Sequence, residues 1–220
     1  MKVAVSWTGG KDSSLACYKA MKTHDVALFV HFVWEKPSPS HPRAITELQT
    51  QAVKPQILWD NLKPPYLESY RESILELKKE YGIEAIVTGD ITVDNIHGTW
   101  IDDVCKGTGV EVLKPLWEQD RKSILNDLLG SGIKVIYTCV KEPWMTPDWL
   151  GRTIDAQAVK EMEVLHDKNG LDICGEFGEY HTMTLDAPFF THTIEVSAFK
   201  TKKVDTSFIL DPDKLALRPK

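Results

Sequence analysis

The 220-residue chain is predicted to fold as an α/β protein, with one doubly wound, largely parallel sheet and a smaller C-terminal α+β part. Three features indicate this architecture. Short apolar stretches alternate with helix-forming stretches up to about residue 140, which is the pattern of successive strand–helix–strand units. A glycine pair follows the first apolar stretch, at the position where such sheets bind ligands. Beyond residue 143 the alternation stops and the chain ends in β-rich stretches.

The first part of the chain gives a regular series of predicted elements. They are, in order, a strand at 3–7, a helix at 11–21, a strand at 28–34, a helix at 43–53, a strand at 56–59 and a helix at 65–82. The second strand is almost entirely apolar or aromatic, as expected of a strand buried on both faces of a parallel sheet. The third helix has the clearest ends, because proline favours the first helical position and glycine the C-terminal cap, as at Pro65 and Gly82. Its apolar side chains recur every three or four residues and share one face: Leu67, Tyr70, Ile74, Leu77 and Tyr81.

The second part continues this alternation and then departs from it. The predicted parallel sheet is completed by a strand at 85–88, a helix at 94–106, a strand at 111–113, a helix from its cap Asp120 to Gly130, and a strand at 134–140. After a connector come a helix at 154–166, a glycine- and acid-rich segment at 171–181, and an antiparallel pair at 191–198 and 203–210. We therefore divide the chain into domains 1–143 and 144–220, the second packed over the ligand edge of the sheet.

Composition excludes several classes of protein. With 26 basic and 32 acidic residues the net charge is −6, which argues against a surface that coats nucleic acid. The four cysteines form no C-x-x-C pair, so neither a disulfide framework nor a zinc site is expected. No apolar run approaches the length of a membrane span or a secretory signal, and we expect a cytoplasmic protein with reduced thiols. The proline-rich stretch 36–42 is predicted to be a short extended loop.

The glycine pair lies in a motif that predicts an anion site. Thr8-Gly9-Gly10-Lys11-Asp12-Ser13 connects the first strand to the first helix. Glycines let the backbone approach an anion, and the N–H groups and dipole of a helix N-terminus attract it. Lys11 adds a full charge and hydroxyl groups lie nearby; the candidate binding residues are Ser6, Thr8, Gly9, Gly10, Lys11, Asp12, Ser13 and Ser14. The spacing of a Walker loop is absent, and a tight turn with a solvated Lys–Asp pair remains an alternative.

This motif resembles the S-G-G-K-D-S loop of the N-type ATP pyrophosphatases, with threonine in place of the first serine. The resemblance implies a Rossmann-like fold of the adenine nucleotide alpha hydrolase type. It also implies that domain 1–143 binds ATP and cleaves it between the α and β phosphates, adenylating a carbonyl or carboxylate oxygen.

Two further segments resemble one branch of that superfamily, the diphthine–ammonia ligases. Gly89-Asp90-Ile91 and the downstream Pro115-Leu116-Trp117 are similar to its G-D-I … P-L-W stretch. Gly89 and Asp90 are therefore added to the nucleotide site, although a cap or turn role for Asp90 remains an alternative. His97 lies between these segments, and we leave it out of the catalytic set because a lone histidine is more often a surface or packing residue.

The third segment carries two glutamates. Glycines interrupt Cys174-Gly175-Glu176-Phe177-Gly178-Glu179-Tyr180-His181-Thr182 and disfavour a helix, so we expect a loop in which the two carboxylates converge. Such a pair beside phosphates would need a metal ion or an amine between them, whereas an acidic surface loop is the alternative. With Asp186-Ala187-Pro188-Phe189-Phe190, the segment resembles the G-E-x-G-E-[FY]-H-T … D-x-P-[LF]-F signature of the diphthine–ammonia ligases.

The resemblance implies an ATP-dependent ligase that forms an amide from a carboxylate and ammonia, releasing AMP and pyrophosphate. Its acceptor would be the diphthine side chain of translation elongation factor 2, bound by domain 144–220. ATP and Mg²⁺ are the implied cofactors, with Asp12 as a metal ligand and Lys11, Asp12, Glu176 and Glu179 as catalytic residues. The two glutamates would bind and deprotonate ammonium, hold the metal, or grip the trimethylammonium group of diphthine. We expect free ammonia as the donor, since the chain has no room for a glutaminase domain, and a homodimer is compatible with the sequence.

Three other functions compete with this one. A related enzyme could adenylate a different, small carboxylate, especially in bacteria. RNA thiolation is disfavoured, because such enzymes commonly carry paired cysteines and an RNA-binding part. A non-catalytic nucleotide-binding module would bind ATP without releasing AMP, and the Glu176/Glu179 pair argues against it.

Overall fold

The computed structural model describes residues 1–35, 39–92 and 100–220. The strands of its first sheet are β1 (Lys2–Ser6), β2 (Asp25–Val33), β3 (Ile57–Asn61), β4 (Ala85–Val87) and β5 (Glu111–Leu113). All five are parallel and stand in the order β3-β2-β1-β4-β5. The predicted α/β class with a parallel sheet is confirmed, and the central position of β1 puts the turn that follows it at the middle of the sheet's carboxyl edge.

The helices of the described residues confirm most of the predicted ends. They are α1 (Lys11–Ala20), α2 (Arg43–Ala52), α3 (Tyr66–Tyr81), α4 (Trp100–Cys105), α5 (Arg121–Ser131) and α6 (Ala156–Asn169). Gly82 ends α3 in the left-handed conformation, and Asp120 caps α5 by accepting a bond from the Ser123 N–H. The predicted end of α5 at Gly130 is wrong, because Gly132 (φ 78°) takes the left-handed position instead. Residues 94–99 of the predicted fourth helix, with His97, lie outside the described residues, as do residues 36–38 of the predicted loop.

The second sheet is antiparallel and begins earlier than expected. Its strands are β6 (Lys134–Lys141), β7 (Tyr180–Asp186), β8 (His192–Val204) and β9 (Ser207–Pro219), in the order β7-β6-β9-β8. The predicted terminal antiparallel pair is confirmed in β8 and β9, but its predicted bounds are wrong, because the turn lies at residues 205–206 and not between 198 and 203. The placement of β6 in the parallel sheet was wrong, since it pairs antiparallel with β7 and β9. An apolar run shows that a strand is buried but not which strand it pairs with.

The two sheets share one hydrophobic core. Val5 and Phe29 of the first sheet lie in the same buried cluster as Tyr137 and Met183 of the second. The opposite face of the first sheet packs against α3 and α4 in a separate cluster that includes Tyr70. Because β7 is thereby held against α1, the second sheet stands beside the carboxyl edge of the first. None of the described helices is long and apolar enough to cross a membrane.

Candidate functional site

The turn between β1 and α1, here called the glycine loop (Thr8–Ser13), has the backbone geometry of an anion cradle. Gly9 adopts the left-handed region (φ 79°), and a side chain there would overlap the Oε1 atom of Gln49. Gly10 is the N-cap of α1, so the N–H groups of the first helical turn belong to the residues that follow it. Both glycines are therefore needed, one for its conformation and one because an added Cβ would lie 3.1 Å from the carbonyl oxygen of Thr182.

Elements distant in sequence hold this loop in place. The amide of Gln49, buried in α2, donates to the carbonyl oxygens of Gly9 (3.0 Å) and Thr184 (2.8 Å). From β7, the Thr182 hydroxyl accepts the Lys11 N–H (3.1 Å), and the Thr184 N–H donates to the Gly9 carbonyl oxygen (2.8 Å). The Ser14 hydroxyl lies 2.7 Å from that of Thr184 and is fully buried, so the structure places Ser14 behind the loop.

Gly89 brings the end of β4 against the same loop. A Cβ atom on Gly89 would lie 2.6 Å from the backbone carbon of Asp12 and 2.7 Å from the nitrogen of Ser13. The next residue, Asp90, accepts a bond from the Thr88 hydroxyl (2.9 Å). The carboxyl ends of the neighbouring strands β1 and β4 thus meet at one point, as the fold class predicts for a ligand site.

Lys11 and Asp12 form the charged centre of the glycine loop. Lys11 is 5% exposed, and its ammonium group lies 2.7 Å from Asp12 Oδ2 and 5.2 Å from the centre of the Tyr180 ring. Burial lowers the pKa of Lys11, but the carboxylates of Asp12 and Glu176 outweigh that effect, so the pKa is raised and the amine stays charged. Lys11 can therefore offer a positive charge to an anion at all physiological pH values.

One oxygen of Asp12 is left without a partner. Oδ1 is buried and forms no hydrogen bond with any of the described residues, and burial raises the pKa of the Asp12 carboxyl. An orphaned buried carboxylate oxygen fits one ligand of a divalent cation. The described residues contain no cluster of three or more His, Cys, Asp or Glu side chains suited to a metal, so such a cation would take its other ligands from a bound molecule and water.

A cavity of about 650 Å³ opens over the glycine loop, between the two sheets. Its volume is in the range of pockets that enclose a small molecule. Nine of the predicted site residues line it: Ser6, Thr8, Gly10, Lys11, Asp12, Ser13, Gly89, Asp90 and Glu176. The structure places the other three, Gly9, Ser14 and Glu179, in the buried framework behind the cavity wall.

The two glutamates of the acidic loop (Asp172–Glu179) point to different surroundings instead of converging as expected. Glu179 is 2% exposed, and its two oxygens accept the backbone N–H groups of Asp172 (3.1 Å) and Phe177 (3.0 Å). The loop turns through two left-handed glycines, Gly175 (φ 73°) and Gly178 (φ 84°), and the Glu179 carboxylate satisfies N–H groups within the turn.

Glu176, by contrast, lines the cavity opposite the charged pair. Burial and the neighbouring carboxylate of Asp12 raise its pKa to about 7, against the attraction of Lys11 and Arg121. Arg121 of α5 also forms an ion pair with Asp172 (3.1 Å), which fixes the base of the acidic loop. A carboxyl group that titrates near neutrality beside an anion site can exchange protons with a substrate.

Sequence reasoning missed two histidines that line the same cavity. The rings of His41 and His181 lie 5.2 Å apart, and burial lowers their pKa values to about 3 and about 4. Both imidazoles are therefore neutral at physiological pH. His181 stood within the third motif, whereas His41 lies within the proline-rich stretch 36–42 and had no pattern that could have singled it out.

Comparison with protein families identifies both parts of the chain. Residues 1–112 match the model of the diphthamide synthase N-terminal domain, and residues 120–214 match that of the diphthamide synthase C-terminal domain. The boundary between the two models falls before β6, in line with the membership of β6 in the second sheet. The predicted domain boundary at residue 143 stays a prediction.

Similar proteins occur in animals and fungi. The chain is 30% identical over 184 residues to a mouse protein named diphthine–ammonia ligase, covering 82% of this chain and 65% of the relative. A human protein of that name is 27% identical over 201 residues (90% of this chain, 72% of the relative). One from Schizosaccharomyces pombe is 36% identical over 112 residues (51% and 18%). The chain thus spans slightly less than two thirds of the mouse relative and under a fifth of the yeast one.

One solved structure that matches this chain in a structural comparison is a predicted subunit of tRNA methyltransferase from Methanocaldococcus jannaschii. It is 15% identical, with a TM-score of 0.46, and the match covers 86% of this chain and 98% of that one. The assignment rests instead on the family models, of which the first alone spans half of the sequence. The chain belongs to the diphthamide synthase family.

Proposed function

We propose that the chain is an ATP-dependent ligase that adenylates a carboxylate and couples it to ammonia, releasing AMP and pyrophosphate. The acceptor is the diphthine side chain of translation elongation factor 2, and the enzyme acts in the cytoplasm. One observation carries the proposal: Glu176 of the acidic loop and the Lys11–Asp12 pair of the glycine loop line one cavity. The names of the relatives support the same reaction.

The glycine loop is assigned to the phosphates of ATP. The N-terminal N–H groups and dipole of α1 attract the anion, and Ser13 and Thr8 add hydroxyl groups at the cavity wall. The Lys11 ammonium, held by Asp12, stabilises the charge that develops on the departing pyrophosphate. The acceptor carboxylate oxygen attacks the α-phosphorus, and the bond from that phosphorus to the bridging oxygen breaks as pyrophosphate leaves.

Asp12 is assigned to a magnesium ion. Its Oδ1 atom, without a hydrogen bond from the described residues, would supply one ligand, and phosphate oxygens and water would supply the rest. When bound, the cation neutralises phosphate charge. Lys11 keeps the Asp12 carboxylate in place through its bond to the other oxygen.

Glu176 is assigned to the second half-reaction. Its ionised carboxylate takes a proton from ammonium, and the lone pair of the resulting ammonia forms the C–N bond with the acyl carbon. The nitrogen then gives up its extra proton to water, which leaves a neutral amide. The C–O bond to AMP breaks, and AMP carries away the electron pair. A pKa of about 7 suits this task, because a useful fraction of Glu176 is ionised at neutral pH. Glu179 acts as a positioning residue, since both of its oxygens hold the turn that presents Glu176.

The cysteines do not favour the RNA-thiolation alternative. Cys17, Cys105, Cys139 and Cys174 are all buried and unpaired, and burial raises the pKa of Cys174 to about 12. Thiol chemistry needs an accessible thiolate, which none of these positions offers. A homodimer remains a prediction from the sequence.

The proposal is tested by release of AMP and pyrophosphate with ammonium, in the presence and absence of elongation factor 2 that bears diphthine. We expect release to depend on the factor, with transfer of nitrogen from ¹⁵N-ammonium to it. Release driven by a small carboxylate alone would select the alternative acceptor and reject elongation factor 2. ATP binding without AMP release under any of these conditions would reject the ligase altogether.

A further inference from the structure

Aromatic side chains form one side of the cavity, here called the aromatic wall (Phe32, Trp34, Tyr70 and Trp100). They come from the end of β2, from α3 and from α4. The Phe32 and Tyr70 rings stack at 3.9 Å, whereas Tyr70 and Trp100 meet edge to face at 5.0 Å and 88°. Trp34 and Trp100 are tilted by 42° at 5.7 Å. The rings that line this side of the cavity therefore contact one another at several different angles.

The wall is not sealed as an ordinary hydrophobic core would be. Tyr70 is buried, but the Trp34 side chain is 37% exposed, and Phe32 and Trp100 are only partly buried. Exposed aromatic surface gathered on one side of a cavity is energetically unfavourable in water, and such patches commonly mark ligand sites. The sequence predicted Tyr70 only as part of the apolar face of α3, so the wall is a feature that the tertiary structure creates.

The charges around the wall favour a cation. Among the described residues that line the cavity, Lys11 is the single lysine or arginine, and it is already paired with Asp12. Three carboxyl groups line the same space, those of Asp12, Asp90 and Glu176. Burial raises the pKa of the Tyr70 hydroxyl, and the negative charges of Asp90 and Asp60 raise it further. The negative charge of both carboxylates is therefore felt at the aromatic wall.

We propose that the aromatic wall binds a quaternary or fully methylated ammonium group of the acceptor side chain. Ring faces attract such a cation through their quadrupoles, and a group with no N–H needs no hydrogen-bond partner. This inference rests on the proposed function, since it assumes an acceptor that carries both the reacting carboxylate and a fixed positive charge. The wall then selects the acceptor by that charge, while the glycine loop holds the phosphates.

A nucleotide base is the competing occupant. A flat base prefers to stack between parallel ring faces. The nearly parallel pair of the wall, Phe32 and Tyr70, leaves no gap for a base because the two rings are 3.9 Å apart. Trp100 meets Tyr70 and Trp34 at 88° and 42°, and these angles suit a rounded group. The base is also neutral and gains little from nearby carboxylates, while a cation gains from each of them. The observed angles and charges therefore favour the ammonium group.

The test compares two probes of the same shape on the full-length chain. Choline carries a trimethylammonium group, and 3,3-dimethylbutanol is its uncharged counterpart. Binding is followed by ligand-observed NMR in the wild type and in Trp100→Leu, Trp100→Phe and Trp34→Phe. Trp144→Leu is the control, because Trp144 lies outside the cavity lining. Pyrophosphate binding to each variant reports separately on the glycine loop.

We expect choline to bind at least about tenfold more tightly than 3,3-dimethylbutanol, since a desolvated cation–π contact is worth about 1–2 kcal/mol. Trp100→Leu should weaken choline about tenfold, Trp100→Phe and Trp34→Phe only severalfold, and Trp144→Leu not at all. Pyrophosphate binding should be unchanged in all four variants, which also shows that they fold.

Equal affinity for the two probes, or unchanged choline binding in Trp100→Leu, would overturn the inference. Competitive displacement of choline by adenosine, with adenosine itself weakened by Trp100→Leu, would assign the wall to the base and also overturn it. Failure of the proposed ligase activity is a separate result, because it would appear as absent AMP release while choline binding persisted.

Discussion

The glycine loop and the acidic loop line the same cavity but are held in different ways. The glycine loop receives its support from other elements, through Gln49 of α2 and Thr182 and Thr184 of β7. Its own charged side chains, Lys11 and Asp12, remain at the cavity. The acidic loop is held largely from within, because Glu179 and Asp172 accept its backbone N–H groups. The charged side chains of a loop can therefore face the cavity only when other groups accept or donate the hydrogen bonds that hold the loop's backbone.

The strongest test of this contrast is Lys11→Ala in the glycine loop. Removing the ammonium group should lower the rate of AMP release by about a thousandfold or more, because charge on the leaving pyrophosphate loses its nearest cation. The measurement is steady-state pyrophosphate release, with Lys79→Ala on the exposed side of α3 as the control lysine. A rate equal to that of the wild type would remove the glycine loop from the mechanism.

Replacing Glu176 with glutamine should lower the ammonia-dependent rate by about a hundredfold, the usual contribution of a proton acceptor. In the wild type this rate, at a constant concentration of ammonium, should rise to a plateau as the pH passes about 7, because the Glu176 carboxylate ionises there. The variant should lose that inflection. A pH profile with the same inflection in both proteins would show that another group is the base.

Replacing Glu179 with glutamine should act through stability. The amide of glutamine has one acceptor oxygen, and its NH2 group would face a backbone N–H that then has no acceptor. The free energy of unfolding should therefore fall by about 2–3 kcal/mol. The measurement is a denaturant titration at pH 7.5. Glu76→Gln on the exposed side of α3 serves as the control. Full stability combined with lost activity would instead make Glu179 a catalytic group.

A smaller effect of opposite sign is expected for the stability of Glu176→Gln. The folded protein holds the Glu176 proton up to about pH 7, whereas the unfolded chain releases it near the ordinary value of 4.5. Native protein thus binds more protons between these values, and this carboxyl lowers stability progressively as the pH rises through that window. The variant should equal the wild type near pH 4.5 and exceed it by about 1–2 kcal/mol at pH 8, allowing for partial exposure. A thermal denaturation series over this pH range measures the difference, and equal stability at pH 8 would contradict the raised pKa.

Local signals in the sequence were sufficient for much of the fold. Gly82 marked the C-terminal end of α3 through its left-handed conformation, and Pro65 marked the other end to within one residue, since it is the N-cap and the helix begins at Tyr66. The glycine loop was likewise predictable, since its residues are contiguous and its function depends on a helix N-terminus. Family resemblance in the two later motifs then led to the correct branch.

Features that depend on distant partners were not predictable. The pairing of β6 with β7 and β9 is decided by strands that lie about forty residues or more further along the chain. Glu176 and Glu179 are identical in chemistry, and only the turn of the acidic loop determines which of them faces the cavity. His41 and the aromatic wall come together from separate elements, and no spacing in the sequence records that.

The side-chain amide of Gln49 has a consequence for how the chain unfolds and how ligands enter. It bonds to Gly9 from the first sheet's edge and to Thr184 from the second sheet, while its oxygen accepts the Trp7 indole N–H (3.0 Å). A sliding or hinge motion between the two sheets would break these buried hydrogen bonds at the same time. The cavity between the sheets should therefore be formed before a ligand binds. Substrates would therefore enter a cavity that is already formed and open to solvent. Heating should unfold the parts that carry the two sheets in a single cooperative transition, and the cavity between them should be lost in the same step.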